Sequence, residues 1–170
     1  MGIYIALLRA VNVGGTGKLP MTELKKICAD EGLADVTTYL ASGNIVCRSD
    51  FTSSEIQMRL ERGLRGYLDR HIDVVVKTAD EVEDIFEKSP FKGTPRPHSY
   101  ILFLNEDVYA DDLDEMKGLK DEHVSIGDRA VYVYYPNGMG KSKLSIPQAK
   151  VGTMRNMNTV GKLIHLAGKL

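Results

Sequence analysis

Between residues 3 and 77 the apolar residues change period in a fixed order, and that order constrains the fold more than any other feature of the chain. Residues 3–9, 36–41, 44–48 and 72–77 read as strands. Between them, Met21, Leu24, Ile27 and Cys28 recur at helical spacing within about 20–31, and Ile56, Leu60, Leu64, Tyr67 and Leu68 do so within about 53–70. Pro20 suits the first position of the earlier helix and Gly32 its end. Ser42-Gly43-Asn44 suits a hairpin turn. The resulting order, βαββαβ, is the ferredoxin-like unit. Each helix has a single apolar stripe, so both must lie on one face of an antiparallel sheet.

The order then repeats. A helix over about 79–88 leads into Ser89-Pro-Phe-Lys-Gly-Thr-Pro-Arg-Pro97, whose prolines and glycine predict a boundary. Beyond it the pattern predicts a strand at 99–104, a helix at about 110–119, a strand at 122–126, a Gly127-Asp128 turn and a strand at 130–135. A short helix at about 142–149, limited by Pro147, and a brief strand from Val151 to Met154 close the second unit. A last helix at about 157–168, capped by Asn156 or Asn158, carries Val160, Leu163, Ile164 and Ala167 on one side. The fold expected is therefore α+β, a tandem duplication of a ferredoxin-like βαββαβ unit. Its sheets are antiparallel with helices on one face, and one extra helix ends the chain. The first half spans 1–89, a Pro/Gly-rich linker 90–98, and the second half 99–170.

Composition excludes several classes. A formal net charge of −1 argues against strong, sequence-independent nucleic-acid binding, which needs a clear excess of Lys and Arg. No apolar run approaches the length of a membrane span, and the start lacks a basic region and a cleavage site. A cytoplasmic location and no membrane partner are expected. Cys28 and Cys47 fit neither a metal pair nor a redox C-x-x-C and read as small core residues. His71, His98, His123 and His165 are scattered without ligand spacing, so no metal and no cofactor are expected. The acidic residues between Glu106 and Glu115 read as a solvated helix entrance. Gly140-Lys141-Ser142 is not a phosphate loop, because Tyr135 stands where the first glycine is required. Gly14 to Gly17 likewise fails G-x-G-x-x-G at Pro20.

Two polar segments carry the functional expectation: Asn12-Val-Gly-Gly-Thr-Gly-Lys18 and Thr153-Met-Arg-Asn-Met-Asn-Thr159. Both lie where a strand hands over to a helix, a place whose unpaired N–H groups suit anions. In a βαββαβ unit the first strand-to-helix loop and the central hairpin share one end of the sheet. That sets residues 12–18 beside 42–44, and in the second half sets Asn137 to Lys143 beside Arg155 and Asn156. With both clusters on one cleft between the halves, Arg9, Lys18, Lys141, Lys143 and Arg155 would neutralise a phosphate or carboxylate. Asn12, Ser42, Asn44 and Asn156 would orient it, and Gly14, Gly15 and Ser142 complete the candidate set. Against this, glycines serve tight loops, Asn and Thr serve caps, and Arg155 could pair with a carboxylate at the interface between the halves. Glu23, in the first turn of its helix, repels an anion there.

No catalytic residue is identified, and oligomeric state is left open. The alternative is a module without catalysis that binds single-stranded RNA or another protein. In such a module bases would stack on Tyr100, Tyr132 and Tyr134 of the central strands, although the glycine-aromatic signature of RNA-recognition domains is missing.

These residues also resemble a bacterial family, the domain of unknown function numbered sixteen ninety-seven. The resemblance is carried by Ile5-Ala-Leu-Leu-Arg-Ala-Val-Asn-Val-Gly-Gly15, Lys18-Leu-Pro-Met21 and Tyr39-Leu-Ala-Ser-Gly-Asn44. Gly140-Lys-Ser-Lys-Leu144 and Thr153-Met-Arg-Asn-Met-Asn-Thr159 extend it to the C-terminal part. Ala10 replaces the family's usual glycine, and Met157 stands where tryptophan is usual. The resemblance implies a duplicated α+β fold and no established activity.

Overall fold

The computed structural model describes residues 1–14 and 18–170. They divide into two compact units, Met1–Val82 with Leu163–Leu170, and Glu83–Lys162. The segment expected as a linker, 90–98, lies inside the second unit.

In the first unit, strands β1 (Gly2–Leu8), β2 (Ala34–Tyr39), β3 (Asn44–Ser49) and β4 (Val74–Thr78) form one antiparallel sheet in the order β2-β3-β1-β4. That is the ferredoxin-like order. Helices α1 (Met21–Asp30) and α2 (Ser53–Leu68) cover one face. Alternation along the strands points Ala6, Leu8, Ile45, Cys47, Val74 and Val76 to that face. There they meet Leu24, Ile27 and Cys28 of α1 and Ile56, Leu60 and Leu64 of α2. Pro20 sits one residue outside the helix it was expected to open, as an extended cap residue at ψ 143°. Gly32 ends α1 with φ +85°, which brings the Leu33 N–H to the Cys28 carbonyl at 2.9 Å. α2 starts on a reciprocal capping box. The Thr52 hydroxyl accepts the Glu55 N–H, and the Glu55 carboxylate, held below its usual range by these bonds, accepts the Thr52 N–H at 2.7 Å. Both cysteines are buried, as read from the sequence, and burial pushes each thiol up to about 12.

In the second unit, β5 (Ser99–Phe103), β6 (His123–Gly127), β7 (Ala130–Tyr134) and β8 (Thr153–Asn156) repeat the plan as β6-β7-β5-β8. Helices α3 (Ala79–Glu87) and α4 (Met157–Ala167) flank this part of the chain in sequence. The expected helix at 110–119 is only a 3-10 turn over Ala110–Leu113. Gly118, at φ +76° inside the expected span, cannot continue a right-handed helix. Lys117 then leaves the turn to pair with Ser145, the two backbones exchanging N–H···O bonds of 3.1 and 2.8 Å. The same pairing holds Ser145 extended, so the expected helix at 142–149 is reduced to a 3-10 turn over Pro147–Lys150. One face of the second sheet, with Leu102, Leu104, Val131, Val133 and Tyr135, is thus covered by connecting segments through Val108, Leu113, Met116, Leu144 and Ile146. Among the described residues no helix is long and apolar enough to cross a membrane.

Candidate functional site

In the first unit the strand-to-helix loop and the hairpin do share one end of the sheet. The Leu8 N–H reaches the Gly43 carbonyl at 2.9 Å, and the Arg9 N–H reaches the Asp73 carbonyl at 3.0 Å. Asn12, with φ +55°, spends its amide on the loop itself. Its Oδ1 accepts the Leu19 N–H (2.7 Å), while Nδ2 donates to the carbonyls of Leu19 (2.9 Å) and Ala41 (2.7 Å). Asn44 is buried, and its Nδ2 donates to the Tyr39 carbonyl (2.7 Å) and the Ser42 hydroxyl (3.0 Å). Two of the expected ligand-orienting amides therefore hold backbone in place. Gly43 is needed where it stands: at φ +84° a Cβ would come 2.9 Å from Leu8 Cβ. Arg9 is half-buried, and Gly14, Lys18 and Ser42 are exposed. Gly15 lies outside the described residues.

In the second unit a hollow of about 620 Å³ opens between the segments 118–122 and 135–143. Lys120, Lys141 and Lys143 line it, with Asp121, Glu122 and Tyr135. The fold makes this hollow by turning sharply at both sides. Gly118, at φ +76°, lies against the Lys143 carbonyl, and a 3-10 turn over Met139–Lys141 brings Ser142 inward. The Ser142 hydroxyl donates to the Glu122 carboxylate and accepts the Leu144 N–H at 3.1 Å. With the Lys120 N–H at 2.7 Å, that hydroxyl keeps the Glu122 carboxyl below its usual range. Asp121 accepts from the Asn137 amide. Both carboxylates are thus bonded to neutral donors. The three ammonium groups are exposed, and among the described residues none has an ion-pair or hydrogen-bond partner.

Arg155 and Asn156 lie at the expected end of the sheet but do not join this hollow. Arg155 sits opposite Ile101, whereas Tyr135 shares the other sheet face with Val133 and Met154. Adjacent strand residues face opposite ways, so Arg155 and Met154 cannot serve one surface. Arg155 is buried, and its guanidinium donates to Thr153 Oγ1 (2.5 Å) and the Met154 carbonyl (3.0 Å). Burial pushes its pKa down to about 10. Asn156 Oδ1 accepts the Thr159 N–H at 2.9 Å and caps α4, as one reading of the sequence had it.

Of the three tyrosines considered for base stacking, Tyr132 is buried and donates its hydroxyl to the Ile85 carbonyl at 2.6 Å. Tyr100 packs edge-on against Tyr135, and Tyr134 stacks on His123. The residues missed from sequence are Lys120 and Glu122. No motif marks them, and only the antiparallel return of β6 beside β7 brings them to Lys141 and Ser142.

The conserved bacterial protein SP0830 from Streptococcus pneumoniae is similar in fold, with a TM-score of 0.79 at 23% identity over 98% of both chains. No curated protein matches the chain. The C-terminal motifs at 140–144 and 153–159 fall outside the segment that a family model matches, whereas those at 5–21 and 39–44 fall inside it. That model, described as Protein of unknown function (DUF1697), matches residues 1–132, and the chain belongs to this family.

Proposed function

We propose that the protein binds a small phosphorylated or carboxylated ligand in the hollow lined by Lys120, Lys141 and Lys143. The observation that supports this reading is an imbalance of partners. Three exposed ammonium groups line one concavity while its two carboxylates are already bonded to Ser142 and Asn137. An arriving anion would meet lysines that need not leave an existing partner. A hollow of about 620 Å³ is in the range of small-molecule sites. The reading rests on the second unit alone and does not require the joint cleft expected from the sequence. The nucleic-acid alternative draws less support, since the ring of Tyr132 is buried.

The test is a thermal-shift screen of phosphorylated and carboxylated metabolites, followed by titration of each hit. A ligand at a hundred times its Kd stabilises the native state by about 2.7 kcal/mol. Lys141→Ala combined with Lys143→Ala should weaken binding at least about tenfold, which is about 1.4 kcal/mol. Unchanged affinity in the double variant, or no anion raising the melting temperature, refutes the reading.

A further inference from the structure

We infer that Glu61, His71 and Asp73 of the first unit form a binding site for a divalent transition-metal ion of the zinc class. One ligand atom from each lies within 4.8 Å of the other two. His71 Nε2 stands 3.0 Å from Asp73 Oδ1. The two atoms are hydrogen-bonded at that distance, and a zinc ion with bonds of about 2.1 Å, whose neighbouring ligand atoms lie about 3.4 Å apart, would take the place of the shared proton.

The three residues are held by elements that do not depend on a metal. Ile72 is buried in the core, and the residues flanking it, His71 and Asp73, meet each other on its other side. The Asp73 carbonyl accepts the Arg9 N–H at 3.0 Å, which ties this point to the end of β1. Glu61 sits mid-way along α2. Its Oε1 accepts from the Val74 N–H (3.3 Å) and from Gln57 Nε2 (3.1 Å). Both bonds fall on one oxygen, which leaves Oε2 to coordinate.

The donor set also fits in charge and kind. Two carboxylates and one neutral imidazole offset a dipositive ion, and mixed nitrogen and oxygen donors suit zinc better than calcium or magnesium, which take oxygen alone. His71 is nearly half exposed, so water can occupy a fourth position. The bound ion would clip the 69–73 connection to α2. The three positions, 61, 71 and 73, follow no metal-ligand spacing in the sequence, because α2 and the connection into β4 bring them together.

The test is calorimetric titration of the full chain with Zn²⁺, repeated with Co²⁺ while following its visible absorption. One saturable site per chain is expected. His71→Ala and Glu61→Gln should each weaken Zn²⁺ binding at least about tenfold, and the cobalt band should fade in both. His165→Ala, on another element, should bind as the parent does. Asp73→Asn provides a further ligand variant should one of the others fold poorly, and circular dichroism monitors folding in each. The absence of saturable Zn²⁺ binding, or binding that persists unchanged in the folded ligand variants, overturns the inference.

Discussion

Replacing Gly118 by alanine should cost the second unit about 3–4 kcal/mol and disable its hollow. Gly118 has φ +76°, a conformation that costs an L-residue about 1–2 kcal/mol. A Cβ built there would lie 2.2 Å from the Lys143 carbonyl oxygen, which belongs to backbone and cannot swing aside. The segments must separate, and separation breaks the paired bonds between Lys117 and Ser145. Each is worth about 1 kcal/mol. Gly140→Ala is the matched control: it lies in the facing 135–143 segment, has nothing within 4 Å of its added carbon, and should change stability by less than about 0.5 kcal/mol. Equilibrium urea unfolding followed by circular dichroism measures both, and anion titration of each folded variant reports on the hollow. Equal cost for the two substitutions would refute the close approach of 118 to 143, and with it the shape assigned to the site.

Arg155→Ala should lower the melting temperature by several degrees, because it removes a buried guanidinium from Thr153 and Met154. It should leave anion affinity within twofold, and lost binding at full stability would return Arg155 to the ligand site. Alkaline pH should destabilise the fold. Burial raises Cys28 and Cys47 from 9.0, and Tyr132 and Tyr135 from 10.0, to about 12. The neutral forms are favoured in the native state, so their contribution is whole below pH 9 and lost progressively between pH 9 and 12. Tyr132→Phe should cost about 1 kcal/mol at pH 7 and flatten the decline above pH 10, measured by urea midpoints across pH. A midpoint that stays level to pH 11 counts against these four burials.

The strands and their order were legible because alternation and turn residues are local signals. Ser42-Gly43-Asn44 announces the hairpin, and Gly43 sits at φ +84° as that turn demands. The helix expected at 110–119 misled because Leu113 and Met116 are spaced as on a helix and do reach the core. What ends the helix is the pairing of Lys117 with Ser145, 28 positions away, which no local window contains. The candidate site divides similarly. Topology fixes which end of a sheet a loop occupies, so Asn12 was rightly placed beside the hairpin, and its amide bonds the Ala41 carbonyl. Topology of ends does not assign faces, and Arg155 accordingly falls on the opposite side of the sheet from Tyr135. Nor does it reveal whether an amide is already occupied, as those of Asn12 and Asn44 are.

The two units answer the same packing requirement in different ways, and the lysine-lined hollow lies in the unit that lacks the two helices. Each sheet has an apolar face that connecting segments of its own unit must cover. In the first unit two helices with buried stripes cover it: Leu24, Ile27 and Cys28 from one, Ile56, Leu60 and Leu64 from the other. Regular helices fit side by side and leave little space between them. In the second unit the corresponding segments carry helix breakers, Gly118 in one and Pro147 in the other. They cover the face through a few anchors, Leu113, Met116, Leu144 and Ile146, joined by the Lys117–Ser145 pairing. The lysine-lined hollow lies beside that pairing, where Gly118 approaches the Lys143 carbonyl. In the second unit these connecting segments stand in place of the two helices, and the hollow lies between residues 118–122 and 135–143.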